Sequence, residues 1–209
     1  MLDIITKTQK VSSWSEIKNA IRSGNADWLH SGDMIPVILK NNKELLLDVA
    51  RDATGEIFFV FHDLCAVKHC MNENGSAKGG WATTDMRKYI HEEILPLFPD
   101  ELQAVIAPTK IVQIINGERI ECEDKLFCLS YTQVFGKDWS WMNEREPEDH
   151  PLDIFRTERS RVKERDGVTA WWWLRSANGN YRFNYVDSDG SISGTSAYAS
   201  GGVALGFKL

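Results

Sequence analysis

The chain has 209 residues, 43% of them hydrophobic and 26% charged, with a formal net charge of -6 and a pI near 5.4. That is enough apolar material for one packed domain, and the acidic balance excludes the basic surface that a nucleic-acid ligand requires. No apolar run approaches the roughly 20 residues that cross a bilayer, and residues 1–10 hold no signal-peptide core, so the expectation is cytoplasmic synthesis without membrane insertion.

Residues 1–29 read as a helical extension packed on a domain over 30–209. Ser13-Trp14-Ser15-Glu16 has the form of a capping box, and Trp14, Ile17, Ala20 and Ile21 follow at helical spacing, which predicts a helix to about Gly24. Residues 35–39, 44–50 and 57–61 predict three strands, separated by the turn signals Asn41-Asn42 and Thr54-Gly55, in an antiparallel meander. Thr84 is placed to cap a helix carrying Met86, Tyr89, Ile90, Ile94 and Leu95, and a second helix is predicted from Pro99-Asp100-Glu101. Asn116-Gly117 predicts a hairpin between 110–115 and 120–129. Residues 143–167 are dense in charge, with few apolar anchors, and read as a surface loop or insertion.

Cys65, Cys70, Cys122 and Cys128 stand in two pairs whose spacing fits neither a disulfide framework nor a C-x-x-C site, so free thiols are the expectation. A zinc site from Cys65, His69 and Cys70 with a later cysteine is the alternative, against a spacing that suits no structural knuckle.

The chemistry changes at Thr169. Ala170-Trp171-Trp172-Trp173-Leu174-Arg175-Ser176 predicts a strand buried on both faces, and Val203, Leu205, Phe207 and Leu209 alternate as a terminal strand. Between them, six Ser, five Gly, three Asn and three Tyr occupy 17 of the 27 positions in 176–202. Antibody loops favour the same set, because Tyr gives rigid amphipathic contact area while Ser, Gly and Asn give adaptable hydrogen bonding. A flexible linker is the competing reading, and it does not explain a segment held between two core strands. The predicted ligand-binding residues are Asn178, Asn180, Tyr181, Asn184, Tyr185, Asp187, Asp189, Ser191, Ser193 and Tyr198, expected to be exposed and clustered on one surface. Asp189-Gly190 reads as a tight turn that needs a positive φ at the glycine.

From Ser176 to Phe207 there is no Lys, Gln, Glu, Met or Trp, although Lys and Glu are common elsewhere. Asn codons of the form AAY, randomised only at their adenines, can never produce those five residues.

The sequence resembles a family of bacterial and phage proteins of unassigned function. The matching motifs are Gly79-Gly80-Trp81, Asp85-Met86-Arg87-Lys88-Tyr89, Leu129-Ser130-Tyr131, Val134-Phe135-Gly136 and Trp172-Trp173-Leu174-Arg175-Ser176. The likeness spans roughly 30–209. The terminal Gly202-Val203-Ala204-Leu205-Gly206-Phe207, where many relatives read Gly-Val-Arg-Pro-Ala-Phe, looks like the variable proteins of diversity-generating retroelements. The resemblance implies an α+β fold of the C-type lectin kind, in the branch shared with formylglycine-generating enzymes. It also implies variable residues displayed on the ligand-binding face, in a phage particle or at a cell surface. The function implied is receptor recognition by a hypervariable binding protein. A static lectin-like or cell-surface interaction domain is the alternative.

No catalytic residue, cofactor or metal is expected. His62, His69, His91 and His150 lack a nucleophile or carboxylate at telling spacing, and Asp187-Ser188-Asp189-Gly190 lacks the rest of a calcium loop. Formylglycine-generating activity needs cysteines beyond Cys128, and none follows. The partner is an unidentified protein or cell-surface ligand, and the oligomeric state is open.

Overall fold

The structure is a computed structural model that describes residues 13–136 and 146–209, and residues 4–5 and 10–11 by their backbone. The opening stretch 1–10, apart from those two pairs, and residues 143–145 of the charged stretch lie outside the described residues. The fold is α+β, with antiparallel sheets and few helices.

Strands β1 (Ile4–Ile5) and β2 (Lys10–Val11) pair with each other and precede helix α1 (Trp14–Arg22). Ser13 caps α1 by accepting the Glu16 amide, and Trp14 and Ile17 are fully buried. The N-terminal helix is thus part of the core. Strands β3 (Met34–Ile38), β4 (Glu44–Arg51) and β5 (Ile57–Phe61) form the expected meander.

Thr84 caps α2 (Asp85–Tyr89) by accepting the Arg87 amide, and the helix runs on through a π-helical stretch, Ile90–Ile94. Helix α3 (Asp100–Val105) follows, and then the hairpin of β6 (Thr109–Ile115) and β7 (Glu118–Asp124). Asn116 at φ 51 and Gly117 at φ 85 make its turn, the geometry that an Asn-Gly pair supplies cheaply. The second arm ends sooner than the sequence predicts. Leu126 and Phe127 are buried, and β8 (Phe127–Cys128) leaves the hairpin for another sheet.

That sheet has the order β3-β4-β5-β14-β8, with the last strand, β14 (Leu205–Phe207), inserted between β5 and β8. Phe207 stacks on Phe59 at 5.3 Å, Phe59 meets Trp14 edge-on at 5.6 Å, and Phe98 closes on Phe207 at 6.1 Å. One aromatic column therefore joins the first helix, the meander and the last strand. Burial of this kind contributes most of the stability of such a core.

Helix α4 (Tyr131–Phe135) starts at a full capping box between Ser130 and Gln133. The charged stretch 143–167 is more than a surface loop. Leu152, Phe155 and Lys163 are buried in it, and it contains α5 (Glu158–Arg161) and β9 (Lys163–Arg165). Strand β9 pairs with β10 (Val168–Ala170) across Asp166-Gly167, both at positive φ. Lys163 Nζ donates to the carbonyls of Phe61 and His62 beneath the rings of Phe155 and Trp172, so a lysine serves as a core strut. Burial pushes its pKa down to about 8, against the pull of Asp48 and Asp63. The chain then forms a three-stranded sheet of β11 (Trp172–Ala177), β12 (Arg182–Val186) and β13 (Ile192–Ser196). No helix among the described residues is long and apolar enough to cross a membrane.

Candidate functional site

Strand β11 is buried along its whole length, with a register shift between Trp173 and Ala177, but it starts later than the predicted 170–176: Ala170 ends β10, and Trp171 lies between the two strands, half-buried. Its indoles are anchored: Trp172 Nε1 donates to the Arg161 carbonyl at 3.0 Å and Trp173 Nε1 to the His69 carbonyl at 2.9 Å. Trp171, Trp173 and Tyr185 form an aromatic cluster, with Tyr185 4.8 Å from the Trp171 ring. Gly201 lies against this cluster so closely that a Cβ there would fall 2.2 Å from the Trp171 ring. The fixed strands thus clamp both ends of the segment proposed to bind.

Beneath β11 runs a buried polar network. Arg175, 1% exposed, donates to the Cys128 carbonyl, to Gln133 Oε1 and to the Asp149 carboxylate. Gln113 donates to Glu146 Oε1 and the Arg175 carbonyl, and accepts the Trp81 amide at 2.7 Å. Trp81 Nε1 donates to Asp124, which also pairs with Arg87 at 2.7 Å. Burial pushes the Glu146 carboxyl up to about 7, with Asp149 adding to the rise and Arg175 opposing it. Arg175 and Ser176, recognised in the sequence only as a motif, hold this network: the Ser176 hydroxyl accepts the Tyr131 amide at 2.7 Å.

The β11–β12 turn carries Asn178, Asn180 and Tyr181. Tyr181 is 63% exposed, and Tyr198, just beyond β13, is 68% exposed. The two sit at the same end of the sheet, since the Ala197 amide donates to the Tyr181 carbonyl. Asn180 accepts the Ala77 amide at its carbonyl and the Asn116 side chain at Oδ1, 3.3 Å away. Tyr198 lies over Gly75, where a Cβ would stand 3.4 Å from its ring. This end is therefore a Tyr and Asn surface built from three parts of the chain. Asn116 and Gly75 were not singled out from the sequence. Asn116 carried only a turn signal there.

Two expectations are corrected. Asn184 is 2% exposed: it lies on the central strand, and its Oδ1 accepts Nδ2 of the Asn178 side chain at 3.0 Å, so it is a strut and not part of a binding face. Nor do the predicted residues form one cluster. Asp187, Asp189 and Ser191 occupy the β12–β13 turn at the opposite end, a five-residue strand or roughly 17 Å away. Tyr185 and Ser193, paired in register, lie between the two ends, nearer the far turn, both half-buried. The far turn is tight: the Asp187 amide donates to the Ser191 carbonyl at 2.7 Å and the Gly190 amide to the Asp187 carbonyl at 2.9 Å. Hydrogen bonds from the Ser191 side chain and, second, from the Ser191 amide to the Asp189 carboxylate hold its pKa below the usual value. Gly190 has φ 88, and a Cβ there would stand 1.9 Å from the Glu158 carbonyl oxygen. Only glycine fits.

The histidines near these elements are bound structurally: His62 to Asp48 at 2.9 Å, His69 stacked on Tyr89 with Nδ1 at the Cys70 carbonyl, and His91 at the Arg87 carbonyl. The four cysteines are free thiols; burial pushes Cys65 and Cys122 up to about 12 and raises Cys128 as well. Among the described residues no group of three or more His, Cys, Asp and Glu side chains stands close enough to hold a metal ion.

Comparison with known families places most of this architecture in one of them. Residues 55–208, well over half of the chain, match the model of a domain of unknown function (DUF6273). The chain belongs to that family. The DUF6273 match takes in β5, the polar network, the three-stranded sheet and β14. No curated protein and no solved structure matches the chain.

Proposed function

We propose that the protein is a non-enzymatic receptor-recognition module. In this reading its domain is C-type-lectin-like, and a diversity-generating retroelement varies the segment 176–202 by adenine-directed codon changes. The observation that carries the reading is the contrast inside one sheet. Trp172, Trp173 and Phe183 are fully buried, while Tyr181 and Tyr198 are about two-thirds exposed at its end. An exposed large aromatic on a rigid base is the usual anchor of a protein interface.

The restricted residue alphabet of 176–207 supports the diversification. The return of the last strand, β14, to a place between β5 and β8 in the sheet begun by β3–β5 supports the lectin-like reading, in which a loop-bearing sheet projects from a closed core sheet. The destination in this reading is a phage particle or a bacterial surface.

Replacing Tyr181 and Tyr198 together by Ala is expected to abolish capture of the protein by a panel of bacterial surface components while leaving its melting temperature unchanged. Sequencing the neighbouring DNA tests the diversification. The expected result is a reverse transcriptase gene and a near-copy of codons 176–207 that differs at adenines; a near-copy differing equally at all bases would overturn it.

A further inference from the structure

Backbone hydrogen bonds in an antiparallel ladder alternate between bonded and non-bonded pairs. The bonds from the Asp187 amide to the Ser191 carbonyl and from the Ala197 amide to the Tyr181 carbonyl fix the phase of the β12–β13 ladder. Tyr185 with Ser193 and Phe183 with Thr195 fall in that phase and bond each other. Ile192 and Gly194 therefore direct both backbone groups away from β12, as Ser196 directs its amide; the Ser196 carbonyl is taken by the Ala199 amide. Strand β13 is the last of its sheet, and among the described residues no strand pairs with its outer side.

Proteins blunt such edges with proline, charge or a bulge. Here β3, the edge of the five-stranded sheet, carries Pro36 at its centre, and β7 carries five charged residues in seven. The sequence of β13, Ile-Ser-Gly-Thr-Ser, has none of these devices, and its register with β12 is unbroken. Past Ile192 its side chains are small, and all five of its residues are half-buried rather than covered. This edge also joins the two ends of the candidate site, with Tyr181 and Tyr198 past one end and Asp187, Asp189 and Ser191 at the other.

We infer that the outer edge of β13 takes an extended strand of a partner protein as a fourth strand of the β11–β12–β13 sheet. The inference rests on the binding reading and names its ligand class. Donors and acceptors repeating about every 7 Å along an edge match another extended backbone, and a sugar ring offers no such repeat. Backbone pairing is indifferent to side-chain identity, so affinity survives substitution at Ser193 or Thr195 while the tyrosines and the far turn read the incoming side chains. A foreign strand suits the edge better than a second copy, which brings a further net charge of -6.

The test uses the full chain and random linear dodecapeptides displayed on phage. In the free protein the Ile192, Gly194 and Ser196 amides are expected to exchange with solvent at least tenfold faster than those of Ser193 and Thr195. Selected peptides are expected to slow Gly194 exchange at least tenfold, and to bind Ser196→Pro at least tenfold more weakly than the parent. Proline at this position removes an outward amide that an edge strand can spare. If Ser196→Pro fails to fold, the exchange measurement on the parent decides alone.

A Gly194 amide already protected in the free chain, peptides that leave its exchange unchanged, or failure to enrich any peptide would overturn the inference. So would self-association of the parent that Ser196→Pro abolishes, since the occupant is then a second copy. Ligands that need Tyr181 and Tyr198 but ignore Ser196→Pro would sink the strand pairing and leave the binding reading intact. Ligands indifferent to both would sink the two together.

Discussion

Replacing Arg175 by Met tests how far the buried network holds the candidate site in place. The guanidinium supplies hydrogen bonds to the Cys128 carbonyl, Gln133 Oε1 and Asp149, and lies over the Phe127 ring at 5.3 Å. Met keeps the apolar stem and removes the donors. The buried Cys128 carbonyl loses this donor, at about 1–3 kcal/mol, whereas Gln133 Oε1 keeps the Ser130 amide and loses less. The Asp149 side chain is 15% exposed, so water reaches it and relieves part of the cost of the lost ion pair. A loss of about 3–5 kcal/mol is expected, a large fraction of the roughly 5–15 kcal/mol that holds a domain folded. The assay is urea unfolding followed by tryptophan fluorescence, with a parallel measurement on Asp149→Asn and on the double variant. The double variant is expected to be less destabilised than the sum of the singles, because the second change removes the carboxylate that the first leaves unpaired. A loss below about 1 kcal/mol for Arg175→Met, or full additivity, would refute the coupling.

Gly190→Ala meets the Glu158 carbonyl at 1.9 Å and adds strain at φ 88, so it should cost about 2–4 kcal/mol and lower the melting temperature by several degrees; an unchanged melt would show that the 187–191 turn gives way freely. Glu146 has a folded pKa of about 7, above its usual 4.5, so the fold favours its protonated form. Its contribution is fully present below about pH 4.5 and is lost as the pH rises through 7. Glu146→Gln should therefore match the parent in stability at pH 4 and exceed it at pH 8 by an amount on the order of 3 kcal/mol, and parallel stability profiles would contradict the burial argument. Trp173→Ala should lose about 3–5 kcal/mol, measured by thermal unfolding, since the ring is fully buried and bonded to His69; a near-neutral effect would show that β11 is not the rigid base of the site.

What the sequence made legible was local. The Ser13 and Thr84 caps, the Asn116-Gly117 turn and the positive φ of Gly190 each depend on a few neighbouring residues. The burial of Trp172, Trp173 and Leu174 in β11 followed from an apolar run, whereas that of Arg175 and Ser176 depends on the distant partners they bond. Insertion of β14 between β5 and β8 depends on chain segments far apart, and no periodicity within either segment encodes it. Asn184 was misplaced for a related reason. A polar residue on a strand reads as outward, and its burial depends on the strand being central and on the amide that Asn178 presents from across the turn. The charged stretch misled through composition: Lys163 is buried because the carbonyls of Phe61 and His62 and two aromatic faces receive its charge. The Asp166-Gly167 turn beside it was a readable hairpin signal that charge density masked. That the site residues divide between two ends of β13 follows from the ladder register, which the sequence does not contain.

The claim that the segment displays recognition residues on a fold indifferent to them is tested most directly by a library. In it Asn180, Tyr181, Asp187, Ser191, Ser193 and Tyr198 are exchanged among Asn, Ser, Asp, Tyr, Gly and Thr. Each variant is measured for melting temperature and for binding to the same panel of bacterial surface components. The account predicts that most variants melt close to the parent, with stability changes of about 0.5 kcal/mol at the exposed Asn180, Tyr181 and Tyr198 and somewhat more at the half-buried Asp187, Ser191 and Ser193, while binding shifts by about 2 kcal/mol or more. If most variants unfold, or if all of them bind as the parent does, the segment is structural and the account is wrong.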